Sequence, residues 1–392
     1  MINPRISILL LLLLLLVNSC KTYHPVKVYP VNHLETGHSL QGFYYALPRT
    51  VLTIDVTILK TEEIPGPFAR YADSFLGLED VIMQPSVSYS IEDVSVNSYA
   101  EADPSEFYFV EYDSEKNSEN PMAISLSETG MVTGINIISD QQIRNKVPGK
   151  VSEFGSWGTE ATFNHFIETN LQEQIDTIVE RVRMDTVTVE RKRLRRSWVE
   201  KTSEVRAREV ADYILDIRNK QFDVVSGFAE ITYSKEAIQY MNEQLESMEE
   251  DHLELFTGIT AQSKIRYRYF YTPQKDLAGD PDTLFHFSER HGVSDVPGST
   301  TGEVIISAER DFGSRQMSIF TMNPAVEKEV ARGIYYRIPE YGIIRISRDG
   351  RPLADARLLI SQFGTITSLP PNDFRIEFFP ETGAIKSIEK IR

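Results

Sequence analysis

Ten lysines and arginines between positions 181 and 208 stand among only four acids, in a chain whose formal net charge is −16. Arginine presents a planar fork of donors that matches phosphate and carboxylate. Arg191, Arg193, Arg195 and Arg196 are therefore a candidate docking patch, for anionic headgroups or an acidic protein face. The competing reading is a solvated surface whose charges are met by their own neighbours. Other chemistry-bearing groups point to less. Among seven histidines the only tight set is His286-x-x-Glu289-x-His291. It lacks the i, i+4 histidine pair that would aim two imidazoles from one helical face at a metal, and reads as polar loop. Asp276, Asp280 and Asp282 flank Gly279 and Pro281 without the order of a calcium loop, and read as a capped turn. No G-x-S-x-G is present, and 57 acidic residues single out no carboxylate pair for glycoside hydrolysis. The aromatic run 267–271 is either a sugar-stacking platform or cross-strand pairing inside a sheet. The expectation is a protein with no catalytic residue, no metal and no cofactor.

Cys20 is the only cysteine in 392 residues, which excludes an intrachain disulfide and a cysteine-based metal site. What precedes it is an apolar stretch over residues 6–17 behind Arg5. That is short of the roughly 20 residues a spanning helix needs, and it fits the core of an export signal. The stretch ends Val17-Asn18-Ser19-Cys20, which resembles the lipobox of bacterial lipoproteins. The resemblance implies removal of residues 1–19 and a diacylglycerol thioether on Cys20; the bland alternative is a secreted protein with a stray cysteine. One acyl chain holds a protein only marginally, while two or more hold it durably. Lys21-Thr22-Tyr23-His24-Pro25-Val26-Lys27 carries no acid after the cysteine. In lipoproteins of this type that implies the outer membrane and its periplasmic face, with the cell surface as the alternative. Net acidity and this compartment argue against nucleic acid as a partner.

The elements behind these residues come from hydrophobic periodicity. Alternating β-branched and aromatic residues predict strands over 51–58, 87–96 and 106–112, and over 124–126 and 132–137 about the turn Glu128-Thr129-Gly130. A short helix is expected over 68–78, ending near Gly77. Residues 163–182 are ambiguous, and Val187 and Val189 suggest a short strand. Ala207, Val210, Ala211, Ile214 and Ile217 form the stripe of a helix over 204–220. Ser234 is placed to cap a second helix reaching about residue 256, where Gly258 stops it. Further strands follow to residue 388. The fold class expected is α+β, predominantly antiparallel β-sheet with a few packed helices. The division expected is a signal over 1–19, a lipidated tether over 20–36, a β-rich domain over 37–148, a basic and partly helical connection over 149–223, and a helix with antiparallel sheet over 224–392.

Two internal echoes raise the alternative of two related β-modules. Gly42-Phe43-Tyr44-Tyr45-Ala46-Leu47-Pro48 resembles Gly333-Ile334-Tyr335-Tyr336-Arg337-Ile338-Pro339, and Glu128-Thr129-Gly130 resembles Glu381-Thr382-Gly383. Plain sheet grammar accounts for them equally: aromatic pairs place one ring on each face, and Thr-Gly suits a turn. The first echo, the segment Pro65-Gly66-Pro67-Phe68-Ala69 with Tyr71-Ala72 and Leu76-Gly77, and Glu254-Leu255-Phe256-Thr257-Gly258 also resemble an uncharacterised family of Bacteroidetes lipoproteins, domain of unknown function 4831. That family brings no catalytic residue to map. The function expected is a non-enzymatic scaffold, assembly or interaction lipoprotein; the alternatives are a glycan-binding lipoprotein and an envelope hydrolase.

Overall fold

The computed structural model describes residues 27–31, 41–111, 122–137, 153–158, 163, 170–184, 187–226, 234–275, 278–298, 301–311, 313, 333–369 and 374–391. Cys20, the leader, the proposed tether before residue 27, and Asp276 lie outside them. In chain order the strands are β1 (Lys27–Pro30), β2 (Gly42–Ile64), β3 (Ser86–Glu111), β4 (Ile124–Leu126), β5 (Val132–Ile135), β6 (Glu153–Gly158), β7 (Leu171–Met184) and β8 (Val187–Glu200). They continue as β9 (Ile259–Tyr271), β10 (Asp282–Ser288), β11 (Gly292–Ser294), β12 (Gly302–Arg310), β13 (Ile334–Arg348), β14 (Arg351–Leu369), β15 (Phe374–Phe378) and β16 (Ile385–Lys390). The helices are α1 (Ala72–Leu76), α2 (Ser203–Ser226) and α3 (Lys235–Thr257). The fold is α+β and its sheets are antiparallel, as the sequence led us to expect.

The alternation over 51–58 is the centre of a much longer strand. Leu52, Ile54, Val56 and Ile58 of β2 are all fully buried on one face. They meet Phe285 and Phe287 of β10, Val304 and Ile306 of β12 and Ile344 and Ile346 of β13. The sheet β1-β3-β2-β9-β6 thus lies over the sheet β11-β10-β12-β13-β14, as period-2 side chains of a sandwich require. On the other face of β2, Asp55 accepts a forked pair of bonds from Arg268 of β9, at 2.6 and 2.8 Å. Since β9 pairs with β2 from Leu52↔Tyr271 to Ile64↔Ile259, strands from before residue 148 and after residue 224 share one core.

A second core sits beyond a bend. Both echo segments shift register at their proline, between Ala46 and Pro48 in β2 and between Ile338 and Glu340 in β13. Proline has no N–H to give the ladder, and there the partner strands β3 and β14 advance five positions against two, so the extra residues bulge from them and the hairpin turns. Before the bend Tyr45, Leu47 and Ile334 join Ile135, Ile376 and Phe378 around the sheet β16-β15-β5-β4. The arrangement occurs twice: a long bent hairpin, then a short one. Each short hairpin turns on the glycine of the Glu-Thr-Gly echo, Gly130 at φ 84° and Gly383 at φ 70°. Gly383 is also pressed on the bend, where a Cβ would fall 2.1 Å from Pro48 Cγ. Helices complete a third core, in which Ala207, Val210, Ala211 and Ile214 of α2 meet Phe68, Ala72, Leu255 and Phe256. Ser234 caps α3 by accepting from the Ala237 N–H at 3.3 Å, and Gly77 ends α1 in the left-handed region.

The largest departure from the sequence reading is the segment 171–200. The ambiguous stretch and the basic run are two strands of 14 residues each, paired throughout. Helix begins at Ser203, where the apolar stripe over 204–220 placed it, and runs on to Ser226. Charged residues at every second or third position blur the apolar alternation that would have announced these strands.

Candidate functional site

Among the described residues, the ribbon β7–β8 pairs with no other sheet. Its base is closed by the Lys201 N–H donating to the Asn170 carbonyl at 2.7 Å, and Lys201 Nζ holds Glu209 of α2 at 2.7 Å. From there it runs out with nearly every described side chain exposed.

Register decides what the ribbon presents, because residues directly opposite share a face. One face carries Asp176 opposite Arg195, Ile178 opposite Arg193, and Glu180 opposite Arg191. The other carries Glu173 opposite Trp198, Ile175 opposite Arg196, Thr177 opposite Leu194, and Val179 opposite Lys192. The candidate docking patch is thereby divided. Arg191, Arg193 and Arg195 lie on one face and Arg196 on the other, where its Nε stands 3.5 Å from Glu173. The patch is also less basic than its linear count, for β7 brings Glu173, Asp176 and Glu180 alongside it. The second face has a different character. Leu171, Ile175 and Val179 share it with Leu194 and Trp198, the last two 67% and 69% exposed. Sequence reasoning missed this surface, although Leu194 and Trp198, four apart on a strand, necessarily point the same way.

The other sequence candidates are spent on structure or dispersed. Tyr267, Tyr269 and Tyr271 pack against the sandwich core, where Tyr269 stacks on Phe285 with centroids 4.9 Å apart. His286 is buried on β10 with its Nδ1 unpartnered, while Glu289 and His291 lie in the turn that follows. Asp282 caps the start of its own strand, accepting from the Thr283 N–H at 2.9 Å. Among the described residues no group of three or more His, Cys, Asp and Glu converges as a metal site. Nor is any described helix long and apolar enough to cross a membrane.

A polar cluster that sequence reasoning did not single out joins the two echoes. Arg337 is 5% exposed and donates to the Pro48 carbonyl at 2.8 Å and to Asp103 Oδ2 at 3.0 Å. Asp103 takes two more bonds from Ser105, through its N–H at 3.1 Å and its hydroxyl at 2.6 Å. Beside it Tyr108 stacks on Tyr335 at 4.6 Å and on Tyr45 at 5.5 Å. The Tyr45 hydroxyl donates to the Tyr335 carbonyl at 3.2 Å and accepts from the Tyr335 N–H at 2.8 Å. The Tyr108 hydroxyl donates to Glu106 at 2.8 Å, and Glu106 stands 3.8 Å from Arg337, so these bonds make the cluster a joint between the two long hairpins.

Burial pushes the phenols of Tyr45, Tyr108 and Tyr269 well above the ordinary 10.0, and the Glu106 carboxylate adds to the shift of Tyr108. A folded value above the unfolded one supplies stability that is complete below the unfolded value and is lost as pH rises beyond it. The expected result is a melting temperature that holds up to about pH 10 on this account and falls steeply above it. In an alkaline ultraviolet titration these phenols should ionise only as the protein unfolds. Full tyrosinate formation in the folded protein near pH 10.0 would contradict the shifts.

Fold and surface together define a predominantly antiparallel α+β protein with a free-standing ribbon and a buried ionic joint. The chain belongs to the family described as a domain of unknown function (DUF4831), whose model matches residues 41–155 and 158–386. No curated protein and no solved structure matches it.

Proposed function

We propose that this chain is an envelope lipoprotein, anchored through lipid on Cys20 at the periplasmic face of the outer membrane, whose work is non-covalent scaffolding or assembly. The observation that carries the interaction role is the β7–β8 ribbon, which among the described residues pairs with neither sandwich sheet and exposes Leu171, Ile175, Val179, Leu194 and Trp198 on one face. The address rests on the leader and on Cys20. Geometry adds a constraint to it. Lys27 is already in β1, paired with Glu111 of β3, and six residues separate it from Cys20. Even fully extended, those residues span only about 20 Å. An acylated Cys20 therefore holds β1, and the second core to which it contributes Val28, close to the bilayer.

The test of the address is metabolic labelling with a fatty acid, followed by membrane fractionation. The native chain should take up label and stay with salt-washed membranes, and the Cys20→Ser chain should do neither. Membrane retention of the serine variant, with no label in the native chain, would end the reading. For the role, a mild-detergent pulldown of the native chain should bring down envelope proteins through the ribbon.

A further inference from the structure

Where β1 joins its sheet, the face turned away from the second core carries aromatic rings. In register, Tyr29 of β1, Phe109 of β3 and Tyr44 of β2 form one cross-strand row, and Phe107 follows opposite Ala46. Their neighbours Val28, Val110, Tyr45 and Tyr108 point the other way, into that core. Tyr44 leans on Phe109 with ring centroids 4.9 Å apart and is itself 57% exposed, while Phe107 is 38% exposed. The adjoining row is Lys27, Glu111 and Gly42. Glu111 lies 3.8 Å from the Lys27 ammonium and accepts from the Tyr29 hydroxyl at 3.0 Å, so its charge is met within the face.

We infer that this aromatic face, centred on Tyr44 and Phe107, seats on the headgroup region of the bilayer that holds the acyl chains. The inference deepens the anchored reading and rests on acylation of Cys20. The tether chooses the occupant. The chain before the described residues joins at Lys27, in this same face, and the six residues back to Cys20 reach only about 20 Å. β2 is 23 residues long, so at about 3.3 Å per residue its far end lies well beyond that reach. The aromatic row is the part of the sheet that the tether keeps within touch of lipid. Its chemistry agrees. A phenol has an apolar body and a polar tip, which favours the boundary between water and hydrocarbon, and Phe107 adds apolar area beside it.

Cys20 is the only cysteine and acylation consumes its thiol, so one introduced cysteine gives the lipoprotein a single labelling site. Full chains carrying Tyr44→Cys, Phe107→Cys or Val296→Cys are labelled with a fluorophore and reconstituted in phosphatidylethanolamine–phosphatidylglycerol vesicles doped with doxyl-labelled lipid. Val296 is the control. It is 69% exposed and lies four residues after Gly292, which is packed against Tyr89 at the opposite end of β3. All three chains should float with the vesicles, and melting should match that of the unlabelled chain. The doxyl groups should quench the probes at 44 and 107 and leave the probe at 296 bright. Chains that float with all three probes equally bright, or equally quenched, would overturn the inference and leave the anchor standing. Chains that neither float nor take up labelled fatty acid would overturn the anchored reading and this one with it.

Discussion

Replacing Arg337 by methionine is expected to cost about 3–5 kcal/mol of stability, because it strands a buried carboxylate. The guanidinium lies in the joint between β13 and the bend of β2, and Asp103 beside it is only 6% exposed. Removing the cation leaves Asp103 with the two Ser105 bonds and no opposite charge within the pair, and leaves the Pro48 carbonyl without its donor. The companion variant Arg337→Met with Asp103→Leu should recover most of the loss, since exchanging both members of a buried pair for apolar groups is often neutral. Urea unfolding of the three proteins measures both effects. Equal stability of the wild type and the single variant would show that the joint carries no load.

Phe287→Ala is the second large effect, at about 3–5 kcal/mol by the transfer and cavity costs of a fully buried ring. Phe287 is 0% exposed at the centre of the sandwich core, where the Arg348 guanidinium carbon lies 4.8 Å above its ring. The truncation therefore opens a cavity and removes the surface on which a partly buried cation rests. Because this core draws on β2 as well as on β10, β12, β13 and β14, loss should appear in a single cooperative transition. Two separate transitions in calorimetry would mean that the sheets unfold independently and would contradict the shared core.

Much of this architecture is written in local pattern. The alternation of Leu52, Ile54, Val56 and Ile58, the stripe on α2 and the cap at Ser234 each follow from a period or a single side chain. Pairing is another matter. Arg268 meets Asp55 across 213 positions of chain, and no local signal in either strand names the other. The ribbon was hidden for a related reason: counting charge along the sequence sees the arginines of β8 but not the acids that β7 folds beside them. The buried arginine is equally silent. The echo sets Arg337 where the earlier segment has Ala46, and the structure shows both positions buried, which no residue type in either segment announces.

If the β7–β8 ribbon makes the interactions proposed above, the sandwich serves to support it. Because the Lys201 N–H meets the Asn170 carbonyl at 2.7 Å, residues 171–200 can be excised and the base rejoined by a short glycine turn. The excised and native chains are then compared by melting and by mild-detergent pulldown in parallel. The expected result is an unchanged melting transition and loss of the proteins that the native chain brings down. An excised protein that fails to fold, or that retains the same partners, would contradict it.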